Sequence, residues 1–254
     1  MGLSCLADRC GDPRRKISPV NAVKALSIST KIYLGLVAFM IAVKVIFLLF
    51  PTVFPGADQE GALSWTTILA IALMGLIGLF LSRRTGFPEI WDIKVSNRQR
   101  FLVPTLFGLA YGLITVLEDL PNPSPVHLTL PLSIPFYTYG ALLLEIMLRL
   151  FAIPFLVWLI SNLILRGRWQ TQVFWAAAII AALYEPLPHI REQLTGALAI
   201  AVPSILIKWA TAPLFLANVA TGWLFRRYGF LAALVMRLSF YLVWHIVYGG
   251  LVTK

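Results

Sequence analysis

Six ionisable side chains lie within long apolar stretches of the sequence, and they are the first candidates for chemistry. An ionisable group inside a bilayer costs about 2.5–3.5 kcal/mol on insertion scales, so it is normally paired or functional. The six are Lys44, Glu145, Arg149, Glu185, Lys208 and Arg237. The two lysines have long stems that can reach an interface or the bundle interior, and we expect them to be structural.

Glu145 and Arg149 are four residues apart, which places them on one face of a helix. One interpretation is an internal ion pair that cancels two buried charges. The other is that Arg149 orients a carboxylate that acts as a base or a ligand. The spacing of these two residues, taken alone, favours an internal ion pair over a catalytic or ligating carboxylate.

The three histidines have different surroundings in the sequence. His127 lies in a proline-rich loop, and we expect it to be solvated. His189 follows two prolines that end an apolar segment and leave backbone groups without helical partners. His245 follows Arg237 and Tyr241 at steps of four, so these three side chains share a helical face.

Four polar residues are predicted at similar depth in the outer half of the membrane: Glu145, Arg149, His189 and His245. Side chains at one depth are able to converge on one cavity. Two neutral imidazoles and a carboxylate suit a transition metal, so a metal or haem site at His189 and His245 is a third-ranked hypothesis. We predict no cofactor and no metal.

The composition indicates that these residues lie on helices that cross a membrane. The 254 residues are 59% hydrophobic and 13% charged, with a mean hydropathy of +0.83, whereas soluble domains carry about 25% charged residues. Disordered, collagen-like and disulfide-rich classes are excluded as well. The sequence predicts an all-α, polytopic membrane helical bundle.

About seven transmembrane spans are predicted from the apolar segments. These segments are 32–50, 63–82, 101–117, 134–165, 171–187, 195–225 and 230–252. Residues 1–31 form a basic cytoplasmic arm, and 32–254 form a single transmembrane helical domain. Pro154 is a candidate kink in the fourth segment.

The loop charges predict the orientation of the chain. Residues 1–31, 83–100, 166–168 and 226–227 are basic, whereas the alternate loops are acidic or nearly neutral. By the positive-inside rule, the N-terminus is cytoplasmic and the C-terminus is outside the cell membrane. The net charge of +10 is therefore expected to face anionic membrane lipid, not nucleic acid.

The motifs resemble those of the CAAX-prenyl endopeptidase and bacteriocin-processing (CPBP, or ABI) superfamily of intramembrane proteases, over roughly residues 90–250. Leu144-Glu145-Ile146-Met147-Leu148-Arg149 matches the second Glu and the Arg of the family's Glu-Glu-x-x-x-Arg motif. His189 falls where the second motif's His is expected. The stretch 222–233 is similar to the family's approach to its last motif, and His245 holds the place of a further His in some bacterial members.

Four residues depart from the family's pattern. Leu144 replaces the first Glu, which the resemblance implies is the general base, and Glu185 replaces the second motif's Phe. Arg237 replaces the third-motif His, and Tyr241 replaces its Asn or Asp. The positions of the family site are therefore Glu145, Arg149, His189, Arg237, Tyr241 and His245.

Two functional hypotheses follow from this resemblance. The first is a non-catalytic member that binds or scaffolds a membrane protein or a lipidated peptide, with Arg237 pairing to Glu145 or Glu185 and filling the old site. The alternative is an active CAAX-type endopeptidase with a rearranged site. Contact of Arg237 with one of the glutamates favours the first hypothesis.

Overall fold

The computed structural model describes residues 27–51, 61–121, 123–184 and 204–253, with the backbone alone at 62 and 204–211. These ranges are all-helical and contain no strand. Besides a short 3-10 turn at Gly61–Leu63, their helices are α1 Ile28–Leu49, α2 Trp65–Thr85, α3 Arg98–Asp119, α4 Ser133–Ile164, α5 Gln170–Leu183, α6 Ser204–Tyr228 and α7 Phe230–Val252. Each predicted apolar segment overlaps one of these helices.

Five of the helices in the described ranges are long and apolar enough to cross a membrane: α1, α2, α3, α4 and α7. The helix α5 is apolar but shorter, at 14 residues. Large apolar side chains such as Leu69, Leu106 and Ile180 face outward on different helices. These helices and their exposed apolar side chains indicate a helical membrane protein whose outer surface contacts lipid.

Serines set the beginnings of two helices. Ser27 accepts a hydrogen bond from the Thr30 amide at 3.2 Å, and Ser64 accepts one from the Thr67 amide at 3.1 Å. These caps satisfy amides that lack a helical partner. The cap at Ser27 begins α1 at Ile28, before the predicted start at residue 32, so the last residues assigned to the basic arm are helical.

Glycines allow the helices to approach closely. A Cβ at Gly108 or Gly112 of α3 would overlap α7, against Met236 and Val243 respectively. On α2, a Cβ at Gly75 would meet the Tyr33 ring, and one at Gly78 would meet the backbone of Leu150. Small residues at such crossings are typical of membrane helix packing. As a result, α3 packs on α7, and α2 packs on α1 and α4.

Stretches of π-helix interrupt the two helices that carry most of the candidate residues. In α4 they cover Ile146–Ala152 and Val157–Ile164, on either side of Pro154, and the helix continues through this proline. In α7 the stretch covers Leu242–Tyr248. Such segments re-aim side chains relative to a regular helix and often lie at functional sites.

Candidate functional site

Glu145 lies at the centre of a buried polar cluster between α4, α6 and α7. Its side chain is fully buried, as the last α-helical residue before a π-helical stretch of α4. Arg237 Nε donates a hydrogen bond to Glu145 Oε1 at 2.5 Å. Arg149 Nη1 lies 3.6 Å from the same oxygen. The expected contact between Arg237 and a glutamate is therefore present, with Glu145 as the partner.

Asn218 of α6 joins the two guanidinium groups. Its side-chain oxygen accepts from Arg149 Nη2 at 2.8 Å and from Arg237 Nη2 at 2.9 Å. The backbone oxygen of Asn218 also accepts from Arg149 Nη2, at 3.2 Å. These bonds fix the planes of both guanidinium groups relative to the carboxylate. The sequence analysis did not select Asn218, although an amide within an apolar helix is a known signal for a bond between helices.

Tyr241 extends the cluster along α7. Arg237 Nη1 donates to the Tyr241 hydroxyl at 3.4 Å, and the Arg237 guanidinium carbon is 5.8 Å from the centre of the Tyr241 ring. Arg237, Tyr241 and His245 are all buried, which confirms that they share an inward face. Residues of α4, α6 and α7 therefore form one cluster, in which Arg149 and Arg237 lie next to Glu145.

A cavity large enough for a water molecule lies beside this cluster, between α3, α6 and α7. Its polar lining residues are Asn218, Thr221 and Arg237, Tyr111 contributes a phenol ring, and the other lining side chains are apolar. Glu145 does not line it. A general base must lie within hydrogen-bond reach of the water it activates, and no carboxylate of the described residues lines this cavity.

His245 belongs to a second cluster farther along α7. Its ring stacks on Tyr137 of α4, with ring centres 3.9 Å apart, and lies 4.8 Å from the Tyr241 ring. The His127 ring is 5.7 Å away. The structure thus connects His245 to the Glu145 cluster through Tyr241 and places the His127 imidazole beside it.

The prediction that His127 is solvated is wrong. Its side chain is buried, and its Nε2 lies 2.8 Å from Asp119 Oδ2 at the end of α3. The Trp244 indole also donates to Asp119 Oδ2, at 3.4 Å. Tyr137 donates to the backbone oxygen of Val126, so the α3–α4 loop packs on α4 and α7. The proline-rich sequence around His127 predicted only a loop. Its burial depends on partners from distant helices, which the local sequence does not show.

The remaining predicted positions have different outcomes. Glu185 and His189 lie outside the described residues, and the side chain of Lys208 is not among those described. Lys44 is buried, as an interior position requires. Leu144 is half-buried, in contrast to its fully buried neighbour Glu145. Within the described ranges, no group of three His, Cys, Asp or Glu residues is arranged to hold a metal ion.

Comparison with known proteins adds no relative: no family model, no curated protein and no solved structure matches this chain.

Proposed function

We propose that this protein is a non-catalytic relative of the CPBP intramembrane endopeptidases, which holds a membrane protein or a lipidated peptide without cleaving it. The observation that carries the proposal is the 2.5 Å hydrogen bond from Arg237 Nε to Glu145 Oε1. This bond engages the carboxylate that remains of the family's glutamate motif with the side chain that replaces the family's histidine.

The contacts that Glu145 makes argue against its acting as a general base that takes a proton from water. A general base must lie within hydrogen-bond reach of the water whose proton it takes, whereas Glu145 contacts arginine side chains. Two guanidinium groups lie within 4 Å of the Glu145 oxygen Oε1. Hydrolysis would also require a water molecule within reach of this carboxylate, and the cavity beside the cluster is lined by Asn218 and Arg237 instead.

The position of Glu145 on its helix argues in the same direction. Residues 144 and 145 point about 100° apart around a regular helix. A carboxylate at 145 therefore does not replace one at 144, where the resemblance places the general base. Misplacement by about 1 Å already costs on the order of 100-fold in rate. Leu144 itself has no proton to exchange.

The same resemblance supports a binding function in the membrane. We propose that the protein lies in the plasma membrane with a cytoplasmic N-terminus, seven spans and an external C-terminus. The exposed Trp169 and Trp223 suit an inner interface. A partner would enter between helices from the lipid, as a lipidated peptide or a transmembrane segment does.

A cleavage assay tests the absence of catalysis. The purified protein is incubated with a farnesylated CAAX-type peptide and with a transmembrane peptide, beside an active CPBP endopeptidase as positive control. We expect no product from this protein. Turnover that is abolished by His189→Ala would overturn the proposal and establish the active alternative.

A second experiment tests the binding function. The protein is cross-linked in native membranes through a photoreactive residue at Leu214, which lines the cavity, and at exposed Ile93 as a matched control. A membrane protein or lipidated peptide captured only from Leu214 supports the proposal. Equal capture from both positions contradicts it.

A further inference from the structure

Arginines surround the beginning of α5, where the end of α2, the α4–α5 connection and the end of α6 meet. Gln170 Nε2 donates to the Thr85 backbone oxygen at 2.5 Å, which joins α5 to α2. Arg226 Nη2 donates to Thr171 Oγ at 2.8 Å, which joins α6 to α5. Besides Arg83, which pairs with Glu89, the arginines that these elements carry are Arg84, Arg166, Arg168, Arg226 and Arg227.

The α4–α5 connection holds a defined conformation. Ser161 Oγ donates to the Arg168 backbone oxygen at 2.8 Å, and the Gly167 amide donates to the Ser161 backbone oxygen at 2.7 Å. Arg166 and Trp169 adopt positive φ angles of 52° and 58°. This conformation exposes the side chains of Arg166, Arg168 and Trp169 together.

Arg226 lies against the first turn of α5, with its guanidinium carbon 4.6 Å from the centre of the Phe174 ring. Thr171 is in the first turn of α5, so the Arg226 guanidinium lies beside the positive end of that helix dipole. The first turn of α5 has no acidic residue, and its N-cap makes no side-chain hydrogen bond. In the described part of the chain, Arg226 Nη1 is shielded from solvent and has no hydrogen-bond partner. An anion at this position would accept from Arg226 Nη1 and complement the positive end of the helix.

Acidic side chains of the same end of the bundle are engaged elsewhere. Glu89, in the α2–α3 connection, accepts from Ser29 Oγ at 2.8 Å and pairs with Arg83 at 3.2 Å. Asp92 accepts from the Lys94 amide at 2.9 Å. Among the described residues, no acidic partner to the arginines around α5 is recorded.

We propose that the arginine cluster around the beginning of α5 binds the phosphate headgroup of an anionic phospholipid. Guanidinium groups bind phosphate through paired hydrogen bonds, and basic pockets between helices suit anionic headgroups at the cytoplasmic side. Trp169, 68% exposed, places an indole at headgroup level. The apolar outer faces of α2 and α5, with exposed Phe80 and Ile180, receive the acyl chains. This site is independent of the Glu145 cluster.

Native mass spectrometry of the full-length protein tests this site. The protein in detergent is titrated with phosphatidylglycerol and with phosphatidylcholine. We expect about tenfold tighter binding of phosphatidylglycerol, because the choline cation of phosphatidylcholine offsets its phosphate charge and repels the arginines. Arg226→Gln and Arg168→Gln should each remove most of this preference. Arg98→Gln, an exposed arginine at the start of α3, is the matched control and should retain it.

Three results would overturn the proposal. The first is equal affinity of the unaltered protein for the two lipids. The second is an unchanged preference in Arg168→Gln, whose exposed side chain can be replaced without disturbing the core; this variant decides the matter if Arg226→Gln fails to fold. The third is displacement of the lipid by millimolar inorganic phosphate, since that result assigns the cluster to a free anion.

Discussion

The Glu145 carboxylate lies next to two arginine side chains, Arg149 and Arg237, in the bundle interior. The contact with Arg237 joins α4 to α7, and Asn218 ties both arginines to α6. A buried pair of this kind adds little net stability over apolar packing, but the loss of one partner leaves an uncompensated charge. The folded bundle therefore depends on Glu145 even though the residue performs no chemistry in our proposal.

Replacement of this carboxylate should destabilise the protein strongly. We expect Glu145→Gln to lower the free energy of unfolding by about 3–5 kcal/mol, because two buried guanidinium groups lose their carboxylate. Thermal unfolding of the purified protein in detergent measures the change. Glu89→Gln is the control, since its pair with Arg83 is partly exposed and is worth less than about 1 kcal/mol. Similar losses in both variants would contradict this prediction.

The Asp119–His127 pair should hold the α3–α4 loop against α7. Asp119 also accepts from the Ser124 amide at 3.0 Å. We expect Asp119→Asn to cost about 1.5–3 kcal/mol, since the bonds to a charged acceptor are weakened. Amide hydrogen exchange over residues 123–132 should quicken. Asp92→Asn, on the opposite connection, should leave that loop protected, and faster exchange there in both variants would argue against a local effect.

At the scale of helices, the α3–α7 crossing depends on glycines, which have no side chain to hold the two helices apart. A Cβ at Gly108 would overlap Met236 and Ser239, whereas one at Gly140 of α4 would meet nothing within 4 Å. Gly108→Ala should therefore destabilise the protein by about 1–3 kcal/mol through overpacking. Gly140→Ala should be neutral or stabilising by up to about 1 kcal/mol, because alanine suits a helix better than glycine. Thermal unfolding separates the two; a Gly108→Ala variant as stable as Gly140→Ala would refute this account of the crossing.

Apolar length predicted the helices well, because a span requires a long uninterrupted run. Ile28–Leu49 and Phe230–Val252 nearly reproduce the predicted 32–50 and 230–252. The π-helical stretches of α4 and α7 did not follow from the sequence, since they depend on how neighbouring helices satisfy the backbone. These stretches contain Arg149 and His245, so ideal helical spacing alone could not fix the directions of those side chains.

For the whole molecule, the charged loops predict which face is cytoplasmic. In a background with Cys5→Ser and Cys10→Ser, a cysteine at Lys94 should react with an impermeant maleimide only after the cells are opened. A cysteine at Thr129, in the α3–α4 loop, should react in intact cells. Both positions are exposed. Labelling in the reverse order would invert the proposed orientation.

Contacts between residues far apart in the sequence were the part of the site that the sequence predicted least well. The spacing of Glu145 and Arg149 predicted their proximity, and the departures at 144 and 237 predicted a glutamate–arginine contact. Asn218 and His127 went unrecognised, because each becomes significant only when α6 or the α3–α4 loop reaches its partners. Local spacing thus predicted Glu145 and Arg149, the family resemblance added Arg237 and Tyr241, and the fold alone supplied Asn218.

The coupling between Glu145 and Arg237 is the most direct measure of the central claim, that these two side chains neutralise each other in the bundle interior. A double-mutant cycle compares Glu145→Gln, Arg237→Met and the double variant by unfolding in detergent. We predict a coupling of about 2–3 kcal/mol, at the upper end for residues in contact, with the double variant more stable than the sum of the single losses implies. Additive losses would contradict the claim.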